Sequence, residues 1–175
     1  LRNSILREKA RGLTGCYVFS RLTFYEGKPI YHSGWYPDKK LRIFPKLGSE
    51  WIGEYVHESL RVAPDLVTRV LEGHLFHYSY INSLDHRRRA DRYSWLTAQK
   101  LYAAGRGPSY FSPALHAVGR FIRTYLLKLG ILDGWAGFTI AWISSCSNYL
   151  KYQELKRLCQ NGSRLISENS SGDLR

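Results

Sequence analysis

The sequence predicts an α/β chain: strands and hairpins over residues 15–82, an α-helical C-terminal region over residues 83–158, and a disordered tail at 159–175. Three observations carry this. Apolar and polar side chains alternate from Cys16 to Tyr25 through Tyr17, Phe19, Leu22 and Phe24, the period of a half-buried strand. From Ser83 the period lengthens, and Tyr93, Leu96, Lys100 and Leu101 fall at helical spacing. After Gln160 the chain turns to Asn, Gly, Ser and Glu, which bury too little apolar surface to offset the entropy of ordering.

The elements follow in order. Residues 1–13 are basic and read as the end of a helix or a connection, punctuated by Gly12 and Gly15. Val18 and Thr23 add β-branched support to the strand 16–25. Glu26-Gly27-Lys28 is a turn, and residues 29–33 pair back as a hairpin. Pro37 fixes its own φ and holds Tyr36 extended, so Trp35-Tyr36-Pro37-Asp38 forms a rigid corner before a strand over 40–46. A turn at Leu47-Gly48-Ser49 leads into an extended segment over 51–60. Ala63-Pro64-Asp65 breaks the chain, and residues 67–81 read as a strand pair around Glu72-Gly73 that presents His74 and His77 on opposite faces. Residues 85–105 read as a helix with Ser83 as N-cap and Gly105-Arg106-Gly107-Pro108 as its stop. Pro113 suits the first turn of the next helix, which runs to Leu129 with Leu115, Val118, Ile122, Leu126 and Leu129 on one stripe. Residues 131–150 are apolar and aromatic, and a basic amphipathic stretch follows at 151–158.

At 175 residues, with 44% hydrophobic and 14% aromatic content, the chain supports one ordinary core and is not a disordered polymer. Its formal net charge of +12 attracts phosphate, whether on nucleic acid, an anionic membrane surface or a phosphorylated sugar lipid. Cys16, Cys146 and Cys159 are odd in number and widely spaced, which argues against a disulfide framework or a zinc site and fits a reducing compartment. The start at Leu1 and the absence of Met read as a fragment or processed product. No stretch reaches the roughly 18 apolar residues of a spanning helix.

Residues 32–58 gather the chemistry. Glu58 follows His57 after an aromatic segment and is a candidate base, or else a surface carboxylate paired with Arg61. Asp38 is the rival carboxylate, or else a turn residue after Pro37. Trp35 and Tyr36 offer faces for a sugar ring or serve a core. Arg42, between Leu41 and Ile43, points away from the core face and suits a phosphate, or is simply solvated. His77 is a possible metal ligand or a structural histidine. The run His86-Arg87-Arg88-Arg89 with Arg92 reads as a solvated helix face or a phosphate holder. Residues 131–150, with Lys128, Lys151, Lys156 and Arg157 on their flanks, suit a membrane interface or a buried helix.

The run Ser33-Gly34-Trp35-Tyr36-Pro37-Asp38, then Leu41-Arg42-Ile43-Phe44, then Trp51 ahead of Val56-His57-Glu58, resembles the family 2 glycosyltransferases that build the lipopolysaccharide inner core. The resemblance extends to residues 71–80 and, more loosely, to Gly134-Trp135-Ala136-Gly137 and Lys151-Tyr152. It implies a GT-A fold, with residues 1–82 as the acceptor-side, C-terminal half of the catalytic domain and 83–158 as a helical region able to associate with a membrane. Such enzymes carry nucleotide-binding βαβ units and an Asp-x-Asp metal motif in the other half, and this chain contains no Asp-x-Asp. The implied reaction is inverting transfer of a hexose, such as glucose, from a nucleotide sugar to a lipopolysaccharide-core or related glycan acceptor. Glu58, with Asp38 as its rival, would be catalytic; Trp35, Tyr36, Arg42, Trp51 and His57 would bind substrate. His77 would supplement a Mg²⁺ or Mn²⁺ site held mainly by the other half. The implied partners are the donor, a glycolipid acceptor and an anionic membrane surface at the cytoplasmic face, with no nucleic acid. Two other readings fit the charge: a basic nucleic-acid-binding module, and a non-catalytic membrane-surface scaffold that needs only residues 115–158.

Overall fold

The computed structural model describes residues 1–52, 59–109 and 111–172, with side chains described through 162. The fold is mixed α/β and divides into two compact units, Leu1–Phe24 with Trp35–His77 and Tyr25–Gly34 with Tyr78–Arg175. The division does not follow the chain at 82/83, because residues 25–34 belong with the helices.

In the first unit, helix α1 (Arg2–Ala10) precedes strand β1 (Cys16–Tyr25), which has the span its alternation predicts. Strand β3 (Asp38–Ile43) pairs antiparallel with β1, and Arg21 lies opposite Asp38. Strand β6 (Thr68–Tyr80) also pairs with β1. Tyr17, Phe19 and Leu71 form the core, closed by Leu1, Ile5, Leu13 and Ile43. Strands β4 (Ser49–Ile52) and β5 (Ser59–Val62) make a separate antiparallel sheet.

The strand pair expected around Glu72-Gly73 is one continuous strand. Gly73 has φ +94°, and a Cβ there would collide with the Leu1 backbone nitrogen. Beside it, Ser4 Oγ donates to the Glu72 carbonyl at 3.0 Å and Arg7 pairs with the Glu72 carboxylate at 3.0 Å. The glycine is there because the start of α1 crosses the strand, not because the strand turns.

In the second unit, β1 runs into Tyr25, and after the Glu26-Gly27 turn the short strand β2 (Lys28–Ile30) pairs back. Helix α2 (Ser83–Ala103) is capped by Asn82, whose side chain accepts from the Asp85 N–H at 2.8 Å. The cap is therefore one residue earlier than expected; Asn82 takes the extended backbone that the capping position needs. Helix α3 (Pro113–Ile122) starts at Pro113 behind the Ser112 cap and continues as a π-helical segment, Arg123–Leu127. Leu129 is left-handed, and a 3₁₀ turn (Gly130–Asp133) leads into helix α4 (Gly134–Gly172).

Helix α4 packs on α2 and α3, and Ile140, Ala141, Ile143 and Leu155 are buried along it. Each buried Ile or Leu contributes about 1.5–3 kcal/mol. The tail expected to be disordered is helical through Gly172. Once the packed part of α4 has formed its first turns, each added residue gains a hydrogen bond without a new nucleus.

Candidate functional site

Asp38 opens β3 at the position where the register sets it against Arg21. Arg21 Nε donates to Asp38 Oδ2 at 2.7 Å, and Lys40 Nζ lies 3.0 Å from Oδ1. Both carboxylate oxygens thus face a cation. The Arg21 and Asp38 side chains are each 25% exposed, so water screens this cross-strand pair less than a surface pair.

His77, half-buried on β6, lies within electrostatic reach of Arg21, Asp38 and Arg42. Burial pushes its pKa below the ordinary imidazole value and the Arg21 and Arg42 cations add to that, against an opposing pull from the Asp38 carboxylate. At neutral pH the ring is uncharged and keeps a lone pair. Arg42 is exposed, as strand alternation predicts, and has no carboxylate partner among the described residues. The cluster is a carboxylate braced by two cations, a neutral imidazole and an open guanidinium. Such a set suits an anionic group and a proton acceptor side by side.

The corner before β3 adds a second pair. Tyr36 Oη lies 2.9 Å from His74 Nε2, with ring centroids 5.6 Å apart. Trp35 is half-buried in the same unit. Trp51 is 59% exposed on the separate β4–β5 sheet, opposite Leu60 and edge-on to Phe44. Arg61 pairs with Glu50 at 2.9 Å. His57 and Glu58 lie outside the described residues. Of the expected site residues, the first unit therefore gathers Asp38, Arg42 and His77, sets Tyr36 against His74, and holds Trp51 on another sheet.

Arg21 and Lys40 were not singled out from sequence. Arg21 carried a signal, as the only charged side chain within the ten residues of β1. Asp133 carried none. Its side chain is 4% exposed and accepts from the Tyr31 and His32 N–H groups, contacts His32 Nδ1 at 3.1 Å and accepts from Ser33 Oγ at 2.9 Å. It pins the loop 31–33 inside the second unit.

The basic run on α2 divides. Arg87 and Arg89 are exposed and pair along the helix with Asp91 and Asp85. His86 is buried between Tyr25 and Tyr80, and burial holds its pKa down at about 4 against an opposing pull from Asp85. This run is a solvated face with one structural histidine turned inward.

The stripe Leu115, Val118, Ile122, Leu126 and Leu129 is 43–54% exposed. α3 turns its other side to α4, where Phe121 meets Phe138 and Ser145 Oγ donates to the Ala117 carbonyl. Trp135 and Trp142 are also exposed. No single helix among the described residues is long and apolar enough to cross a membrane. The pair Pro113–Leu127 and Gly130–Gly162, bent by 71°, passes that test jointly by length and composition.

Among the described residues no three His, Cys, Asp or Glu side chains gather as metal ligands. The Arg21 and Arg42 cations that act on His77 favour an anion there over a dication. Comparison of the chain with protein-family models and with solved structures gives no match.

Proposed function

We propose that this chain is the acceptor-side part of an inverting glycosyltransferase of GT-A type, moving a hexose from a nucleotide sugar to a lipopolysaccharide-core or related glycan at a membrane surface. The Arg21–Asp38–Lys40 group with His77 and Arg42 is the observation that carries this reading. The hexose and the acceptor class rest on the resemblance of residues 33–58.

Inversion needs one base on the acceptor hydroxyl and positive charge for the departing diphosphate. Arg42 is an open cation for that charge. Asp38, with both oxygens engaged, orients Arg21 and Lys40, which leaves Glu58 as the base of this reading. Tyr36, held by His74, and Trp35 offer aromatic surface for the acceptor sugar. Trp51 and His57 are substrate contacts in the same proposal. The exposed stripe on α3, with Trp135 and Trp142, supports residence at the cytoplasmic face of a membrane, where indoles sit at headgroup depth and basic residues meet anionic lipid.

The test is hexose transfer from a panel of nucleotide sugars to a core-lipid acceptor by the protein joined to its donor-binding half. Glu58→Gln is expected to lower turnover by about 100-fold or more with donor binding retained. Full turnover in Glu58→Gln combined with its loss in Asp38→Asn would move the base to Asp38. A wild-type protein that transfers no sugar from any donor would end the reading.

A further inference from the structure

A cavity of about 600 Å³ opens between α3 and α4, lined by Arg120, Arg123, Lys151, Asn148, His116 and Tyr152. No acidic residue lines it, and among the described residues none of its three cations forms a salt bridge. Its wall is built rather than incidental. His116 stacks on Tyr152 with centroids 3.7 Å apart, and Ser109 Oγ holds His116 Nε2 at 2.6 Å. Asn148 Nδ2 donates to the His116 carbonyl at 2.9 Å, and Lys151 Nζ lies 4.2 Å over the Tyr152 ring. Burial and the nearby Arg120 cation both push the Lys151 pKa down. Like charges are thus held together around an open space with no protein anion to balance them, an arrangement that an incoming anion relieves.

We propose that this cavity binds the phosphate group of an anionic lipid headgroup. Two guanidinium forks suit phosphate oxygens better than a lone carboxylate, and Lys151 supplies a third charge. The lipid source follows from Leu115, which lines the cavity and also belongs to the exposed stripe with Val118 and Ile122. A phosphate in the cavity leaves its acyl chain beside that stripe. The proposal stands independently of sugar transfer, since it uses no residue of the first unit.

Gly119 lines the cavity, and a Cβ built there meets nothing within 4 Å. Gly119→Leu therefore fills the space without altering charge, and it raises helix propensity. The experiment is flotation of the chain with phosphatidylcholine vesicles carrying phosphatidic acid, against vesicles of equal surface charge made with oleate. A parallel titration uses soluble glycerol phosphate. Wild type is expected to prefer phosphatidic acid, and both Gly119→Leu and Arg120→Gln/Arg123→Gln/Lys151→Gln are expected to weaken that binding by about tenfold or more. Saturable binding of glycerol phosphate, sensitive to Gly119→Leu and without any vesicle preference, would replace the lipid source with a soluble phosphate ester. Equal binding to oleate vesicles with no glycerol phosphate binding, or wild-type behaviour of Gly119→Leu in both arms, would overturn the proposal. Helical circular dichroism of each variant confirms that a loss is not unfolding.

Discussion

The two units differ in one group of positive charges. In the sheet unit, Arg21 and Lys40 are bound to Asp38 and Arg7 to Glu72, so most of the cations named there act by holding carboxylates in place. In the helical unit, Arg87, Arg89 and Arg157 are likewise paired, with Asp91, Asp85 and Glu154, but Arg120, Arg123 and Lys151 line an open cavity without a carboxylate. Two apolar groups differ as well. Tyr17, Phe19 and Leu71 close the sheet core, whereas α3 leaves its most regular apolar stripe exposed. A net charge of +12 thus conceals cations paired with carboxylates in both units and one basic cavity, between α3 and α4, whose lining holds no carboxylate.

The contrast breaks most completely at Gly137. A Cβ there would collide with the Gly130 carbonyl oxygen, a backbone atom that cannot swing aside. Gly137→Ala is expected to cost more than about 4 kcal/mol and to disrupt the turn between α3 and α4. Thermal melting with a wild-type midpoint would contradict a close approach of Gly137 to the Gly130 carbonyl.

Acid sharpens the contrast next. His86 has a pKa near 4 in the folded chain and about 6.5 unfolded, so the unfolded state takes up the proton first as pH falls. The stabilisation is complete above the unfolded value and is lost between roughly pH 6.5 and 4, by about 3 kcal/mol in all. Urea denaturation across that window is the check, and His86→Gln is expected to flatten the curve. An equally steep curve in the variant would assign the acid sensitivity elsewhere.

A smaller effect is expected at Asp133. Asp133→Ala strips acceptors from the Tyr31 and His32 N–H groups and from Ser33 Oγ, at about 2 kcal/mol. Hydrogen exchange at the His32 amide is expected to rise, and an unchanged rate would mean that the loop is held by something else. The smallest change concerns the sheet unit. Arg21→Gln is expected to cost about 1 kcal/mol and to raise the His77 pKa by removing a neighbouring cation, whereas Asp38→Asn is expected to lower it. An NMR titration of His77 that moves the other way in either variant would break the cluster assignment.

Features fixed by local chemistry were legible in the sequence. The alternation of β1, the Gly105 stop and the start of α3 at Pro113 each depend on neighbours in the chain. Features fixed by long-range packing were not. Gly73 reads as a turn residue until α1 is seen to cross it, and Arg21 meets Asp38 only through a register that shifts between Tyr17 and Val18. The stripe on α3 was legible as a stripe; its exposure was not, because which side meets α4 depends on His116, Ala117 and Phe121 rather than on the leucines. Asp133 escaped notice because its four contacts lie about a hundred residues away.

The proposed glycosyltransferase reading assigns the departing diphosphate to Arg42, the open cation of the sheet unit's cluster, so its most direct measurement is transfer of labelled hexose to a vesicle-borne core-lipid acceptor by Arg42→Gln in the protein supplied with a donor-binding half. Turnover is expected to fall by about 100-fold, with vesicle binding and melting unchanged. Wild-type turnover in Arg42→Gln would contradict the assignment of chemistry to the sheet unit's cluster.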